Sequence, residues 1–123
     1  MSVDNSYATC IECNDPSYAN FVSDFEKPLV LITNPDHNID VTNTNSLVVN
    51  AVALERNSTY NSNWSVQKFE VFIDYVSVGS NTMDIINYNL DINTISRGTH
   101  TISFEAIDND GDKYKTSVYV VKR

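Results

Sequence analysis

The sequence predicts an all-β protein: an antiparallel β-sandwich of about seven strands, preceded by an N-terminal arm that carries a short helix. Two observations lead to this fold class. After Pro28 apolar residues alternate with a period of two, and turn residues separate the alternating runs. Runs of strands without intervening helices form antiparallel sandwiches or barrels. We therefore divide the chain into the arm, residues 1–27, and a sandwich domain, residues 28–123.

The arm has the periodicity of an amphipathic helix over residues 16–26. Asp15 can cap such a helix, Pro16 suits its first position, and Pro28 would end it. Its apolar face has the spacing i, i+3, i+4 and i+7 and consists of Tyr18, Phe21, Val22 and Phe25. We expect this face either to cap the open end of the sandwich or to bind a partner protein.

The first half of the sandwich domain contains four predicted strands. The first is residues 29–33, which an Asn-Pro-Asp triplet ends, and the second is residues 47–54. A polar loop over residues 55–65 leads to the third strand, residues 68–74. Val76 and Val78 indicate a short fourth strand before Gly79.

The second half contains the remaining strands. Two weaker segments lie within residues 83–95, and a clear strand starts at Gly98. One face of that strand is expected to carry His100, Ile102, Phe104 and Ala106, and the other Thr101, Ser103 and Glu105. Residues 108–112 form a predicted turn before the last strand, residues 114–121. Strands with one polar face fit two sheets packed over a shared core.

The bulk composition excludes several functional classes. The formal net charge is -8 and only eight residues are Lys or Arg, so a nucleic acid would be repelled. No apolar run reaches the length needed to insert into a membrane. Residues 1–18 contain neither a basic residue nor an apolar run, so they do not form a secretory signal.

Three segments resemble the immunoglobulin-like domains that are common in bacterial surface proteins. They are GTHTISFEAIDNDGD at residues 98–112, PLVLITNPD at 28–36 and VFID at 71–74. The resemblance covers residues 28–122 and implies an immunoglobulin-like sandwich. It places His100 where related folds have the tyrosine of the corner motif, which implies a hydrogen bond to the backbone. Tyr75 stands where the family usually has a glycine after the third strand.

A lone domain of this kind resembles the auxiliary decoration proteins of tailed bacteriophages. The resemblance implies a non-enzymatic structural protein that is made in the host cytoplasm and is attached to capsid or tail proteins of the virion through its arm. The alternative is an immunoglobulin-like spacer or carbohydrate-binding module of a secreted bacterial surface protein or adhesin, with a cell-surface glycan as partner.

No catalytic residues are predicted, because the sequence has no nucleophile elbow, no zinc-protease motif and no glycine-rich phosphate loop. Tyr60 and Trp64 are candidate carbohydrate-binding residues, although packing of Trp64 into the sandwich is the favoured interpretation of that residue. Cys10 and Cys13 form a CIEC pair that fits half a zinc site, a redox pair or unreactive thiols.

The one candidate metal site is a calcium site at Asp108, Asp110 and Asp112, and no other cofactor is expected. Alternating carboxylates beside a glycine supply the hard oxygen ligands that calcium prefers. An EF-hand loop starting at Asp108 would need Gly and Glu where Lys113 and Tyr119 stand. A plain hairpin turn explains the same residues, because Asn, Asp and Gly favour turns.

Overall fold

The computed structural model describes residues 28–55 and 63–123 as two facing β-sheets. In these residues one 3-10 turn, Ile92–Thr94, interrupts a series of strands. The strands are β1 (Leu29–Asn34), β2 (Ile39–Asp40), β3 (Ser46–Leu54), β4 (Val66–Ile73), β5 (Val76–Asn81), β6 (Ile85–Asp91), β7 (Gly98–Asp108) and β8 (Lys113–Lys122). The predicted all-β sandwich is confirmed. The helix predicted for residues 16–26, with its candidate residues Tyr18, Phe21, Val22 and Phe25, lies outside the described residues.

The two sheets differ in size. Sheet A has the strand order β1-β3-β6, and sheet B has the order β2-β8-β7-β4-β5. Every pairing is antiparallel except that of β2 with β8, where Ile39 lies opposite Val120. The sequence did not predict β2, because two residues are too short to show an alternating pattern.

The core consists of the inward side chains of both sheets. From β3, Val49 and Ala51 are completely buried. At the centre, Phe69 of β4 and Phe104 of β7 meet edge to face, with their ring centroids 6.5 Å apart. Burying each of these rings stabilises the fold by roughly 2–3 kcal/mol, so this pair is a major contributor to the sandwich.

The outer face of β7 differs from the expected polar, exposed surface. Thr101 and Ser103 point outward, yet both are buried. The register places Ser103 between Phe72 of β4 and Ser117 of β8. Because serine is short and β7 lies between β4 and β8, the strands on either side cover Ser103, and its hydroxyl lies 2.8 Å from that of Ser117. Burial on this face therefore follows from strand position, which alternation alone does not encode.

The β4–β5 hairpin turns at Asp74 and Tyr75, and neither is a glycine. Their φ angles are +51° and +69°, so both central residues adopt the left-handed conformation. Two such residues in succession form the type I′ turn, whose twist matches that of paired strands and which favours Asn or Asp followed by Gly. Asp74 suits the first position, whereas Tyr75 is strained in the second.

Candidate functional site

Asp108, the last residue of β7, organises one end of the sandwich although its side chain is almost completely buried. Its Oδ1 accepts hydrogen bonds from the backbone N–H groups of Asp110 and Asp112, each at 3.0 Å. Its Oδ2 accepts a hydrogen bond from Nε1 of Trp64 at 3.2 Å. A carboxylate that folds the following turn in this way is a common role of aspartate in loops.

The turn after Asp108 is also bound to the segment that leads into β4. The N–H of Asn109 donates to the carbonyl of Ser65 at 3.0 Å, and its side-chain oxygen accepts from the N–H of Ser65 at 3.1 Å. The side-chain amide of Asn109 donates to the carbonyl of Asn63 at 2.9 Å. Gly111, with φ at +88°, supplies the left-handed residue of the turn. These bonds hold residues 63–65 against the β7–β8 turn.

The three predicted calcium ligands do lie together. Carboxylate oxygens of Asp108, Asp110 and Asp112 are all within 4.8 Å of one another. The Asp108 carboxylate, however, already accepts three N–H donors, and a cation would have to share or displace them. The turn therefore has a structural explanation, and calcium binding stays a prediction from the sequence.

Trp64, one of the two candidate carbohydrate-binding residues, is half-buried and packs against the core. Its only polar group, the indole N–H, is bonded to Asp108. Sugar-stacking aromatics present a free face to solvent, so this position favours the packing interpretation. Tyr60 lies outside the described residues, and carbohydrate binding by the pair stays a prediction.

A second polar cluster surrounds His100, which is 7% exposed. Its Nδ1 lies 2.6 Å from Oδ2 of Asp74, and its Nε2 lies 2.7 Å from the carbonyl oxygen of Ser96. Oδ1 of Asp74 accepts the N–H of Thr101 at 3.0 Å. The backbone hydrogen bond that the family resemblance implied for His100 is confirmed. No role of Asp74 was predicted from the sequence. The one signal for that role is the position of Asp74 at the end of the VFID segment, which in the structure lies beside the start of β7.

The geometry of this cluster requires a charged imidazole. Both ring nitrogens face acceptors, and a neutral imidazole has only one N–H. The hydrogen bond to Asp74, supported by that to Ser96, raises the pKa of His100 above 6.5 in spite of burial. Burial also raises the pKa of Asp74, but the bonds from His100 and Thr101 outweigh this effect and hold that pKa below 3.8. The cluster is thus an ion pair that fixes the β4–β5 turn to the start of β7.

Two other cationic side chains fasten the ends of the fold. The ammonium of Lys122 donates to the carbonyls of Ile92 and Ile95, each at 2.9 Å, and so closes the 3-10 turn. The guanidinium of Arg123 lies 2.9 Å from the carboxylate of Asp40. Hydrogen bonds from Thr42, with a smaller contribution from Arg123, lower the pKa of Asp40 to about 2. Lys122 and Arg123, the basic residues at the C-terminal end of β8, therefore both have structural roles.

No helix among the described residues is long and apolar enough to cross a membrane. No protein-family model and no curated protein matches the sequence. Similarity appears in the comparison of structures. The fibronectin(III)-like modules of CbhA from Clostridium thermocellum align with a TM-score of 0.58 and 23% identity, over 79% of this chain and 47% of theirs.

The endo-β-1,4-mannanase from Thermotoga petrophila aligns with a TM-score of 0.60 and 19% identity, over 87% of this chain and 23% of the mannanase. The chain thus spans about half of the first of these structures and about a quarter of the second. At such identities the likeness concerns the fold. Neither of these two structures is a virion protein. The sheet topology and the fibronectin(III)-like likeness together show that the described residues, 28–55 and 63–123, form an immunoglobulin-like β-sandwich.

Proposed function

We propose that this chain is a non-catalytic immunoglobulin-like spacer module of a secreted bacterial surface protein or glycan-degrading enzyme. One observation carries the proposal: the polar side chains that look like a site in the sequence bind one another inside the fold. The indole N–H of Trp64 donates to the carboxylate of Asp108 at 3.2 Å, so the polar group of each is engaged by the other within the domain.

The His100 cluster supports the same conclusion. The His100 imidazole is buried, and both of its nitrogens are engaged by groups of the domain itself. A general acid or base must instead reach a substrate. These contacts join successive strands and stiffen the sandwich, which is the property that a spacer between larger domains requires.

The structural comparisons agree with a modular role. One similar structure is described as fibronectin(III)-like modules, and the other is a whole mannanase of which this chain matches 23%. A sandwich of this size occurring as a part of longer polypeptides suits a spacer. Nothing in the described residues specifically favours attachment to a capsid or tail, so decoration of a virion remains the competing prediction.

The size and location of the native polypeptide test the proposal. Antibodies against this domain should detect, in the natural source, an extracellular polypeptide clearly heavier than the 13.8 kDa of this chain. A chain of 13.8 kDa present in many copies on phage particles would instead support the prediction that the protein decorates a virion, and would overturn the spacer proposal.

Glycan binding separates a spacer from a carbohydrate-binding module. We expect soluble mannan and cello-oligosaccharides to give no heat of binding in calorimetry. Saturable binding that Trp64→Ala abolishes, and that Tyr119→Ala leaves intact, would replace the spacer by a sugar-binding function. Tyr119 is the matched control because it is 45% exposed and lies on the outer face of sheet B.

A further inference from the structure

The outer face of sheet A carries an uncovered apolar patch. Leu31, Val52 and Ile85 form one row across β1, β3 and β6. In the adjacent row Leu29 lies opposite Leu54. Leu31, Leu54 and Ile85 are 45%, 44% and 43% exposed. Single exposed apolar residues are normal, whereas these lie side by side on neighbouring strands and form one continuous apolar surface that another element can cover. We call these five residues the sheet A patch.

The patch occupies one half of the face only. Further along the strands, Asn50 lies opposite Asn87, and Val48 lies opposite Asn89. The apolar rows are therefore the ones nearest the beginning of β1. This is the end at which residues 1–27 join the sandwich, because Pro28 immediately precedes β1 and is buried.

The same end of the fold contains an unpaired polar atom. Oε2 of Glu55, the residue that follows β3, is buried and has no hydrogen-bond partner. A buried carboxylate oxygen without a donor is costly, so a native protein normally supplies one. Lys27, the one basic residue of the arm, is separated from β1 only by Pro28, and β1 pairs with the end of β3.

We propose that the predicted helix of residues 16–26 packs on the sheet A patch through its aromatic face. Three adjacent strands span about 10 Å, which matches the diameter of a helix. The apolar stripe from Tyr18 to Phe25 rises about 10 Å along the helix axis. Only Lys27 and Pro28 separate the end of the helix sequence from Leu29, so the connection places the helix near this half of the sheet. The proposal is independent of the spacer function.

The intact chain of residues 1–123 provides a direct test by NMR. Nuclear Overhauser effects are expected between the ring protons of Phe21 or Phe25 and the methyl groups of Leu31 and Ile85. The methyl groups of Val48, on the polar half of the same face, should show none. Contacts from these rings to Val48 alone, or to no methyl group of sheet A, would overturn the proposal.

Variants of the full chain test the energetic coupling. Phe21→Ser and Leu31→Ser should each raise the unfolding equilibrium constant about tenfold, because each removes a buried apolar contact. The double variant should be about as unstable as the less stable of the two single variants, since the effects of substituting two residues in contact do not simply add. Val48→Ser, matched to Leu31 in exposure at 49% against 45%, should change the constant less than about threefold. Fully additive effects of Phe21→Ser and Leu31→Ser would reject the proposed contact.

The same measurements distinguish packing of the chain's own arm on the sheet A patch from packing of a second copy of the chain. The coupling should be independent of protein concentration, and light scattering should give a monomer mass. A coupling that appears only at high concentration, together with a dimer mass, would assign the patch to contacts between two chains and refute the intramolecular packing.

Discussion

His100 of β7 and Asp74 of the β4–β5 turn form an ion pair, with Nδ1 and Oδ2 2.6 Å apart. The imidazole is buried, whereas the Asp74 side chain is 48% exposed. Asp74 is also in the left-handed conformation. The pair therefore joins a conformationally strained turn to the central strand of sheet B, and its protonation should control how firmly that turn is held.

This pair makes the free energy of unfolding depend on pH. The pKa of His100 is raised above 6.5, so its contribution is complete below that pH and is lost as pH rises through the folded pKa. The pKa of Asp74 is lowered below 3.8, so its contribution is complete above that pH and is lost as pH falls through the folded pKa. Denaturant titrations should thus show the largest contribution of the pair between pH 3.8 and 6.5.

His100→Gln should remove most of this pH dependence near neutrality. The change should destabilise the protein by about 2 kcal/mol at pH 6, because a charge-assisted hydrogen bond is lost. His37→Gln is the control, since the side chain of His37 is 75% exposed. If His37→Gln and not His100→Gln flattened the profile, the assignment to the buried pair would be wrong.

Tyr75 should be a position where the natural residue is not the most stable one. Its φ of +69° suits glycine, and its side chain makes little contact because it is 70% exposed. Tyr75→Gly is expected to raise the free energy of unfolding by about 0.5–1 kcal/mol. Tyr75→Ala keeps the Cβ atom and should give no gain. An equal gain in both variants would mean that loss of the ring, rather than relief of backbone strain, is responsible.

Asp108 should be the most sensitive polar residue at its end of the sandwich. Asp108→Ala leaves the N–H groups of Trp64, Asp110 and Asp112 without their acceptor, which should cost about 2–4 kcal/mol. Because Trp64 is the one tryptophan of the chain, its emission reports the change and should shift to longer wavelength. Asp110→Ala, an exposed position in the same turn, should cost less than about 1 kcal/mol. If the two variants lost equal free energy of unfolding, the buried carboxylate of Asp108 would be no more important to stability than the exposed one of Asp110.

The sequence predicted the strands well where burial alternates and poorly where other forces decide. The face of β7 that carries Ile102, Phe104 and Ala106 is buried, as its alternation indicated, because period two is the direct consequence of a half-buried sheet. The burial of Ser103 was not foreseen, because it depends on neighbours in strands far apart in sequence. The partnership of His100 with Asp74 was missed for the same reason: 26 residues separate them, and only the β4–β7 register brings them together.

The aspartate cluster shows the same limit of sequence patterns. A spacing of Asp108, Asp110 and Asp112 that suits calcium is equally the spacing at which one carboxylate accepts the next backbone N–H groups. In the structure Asp108 does accept the N–H groups of Asp110 and Asp112. Side-chain proximity alone therefore does not decide between a turn and a metal site.

Thermal unfolding with and without calcium resolves this choice. We expect the melting temperature in 5 mM calcium, a concentration about five times a weak extracellular-type Kd, to equal that in chelator within about 1 °C. The reason is that a cation must compete with the N–H donors already bound to Asp108. A rise of several degrees that Asp112→Asn abolishes, and that equal magnesium does not reproduce, would instead establish a calcium site. Asp36→Asn, which changes the net charge equally at an exposed position, controls for nonspecific screening.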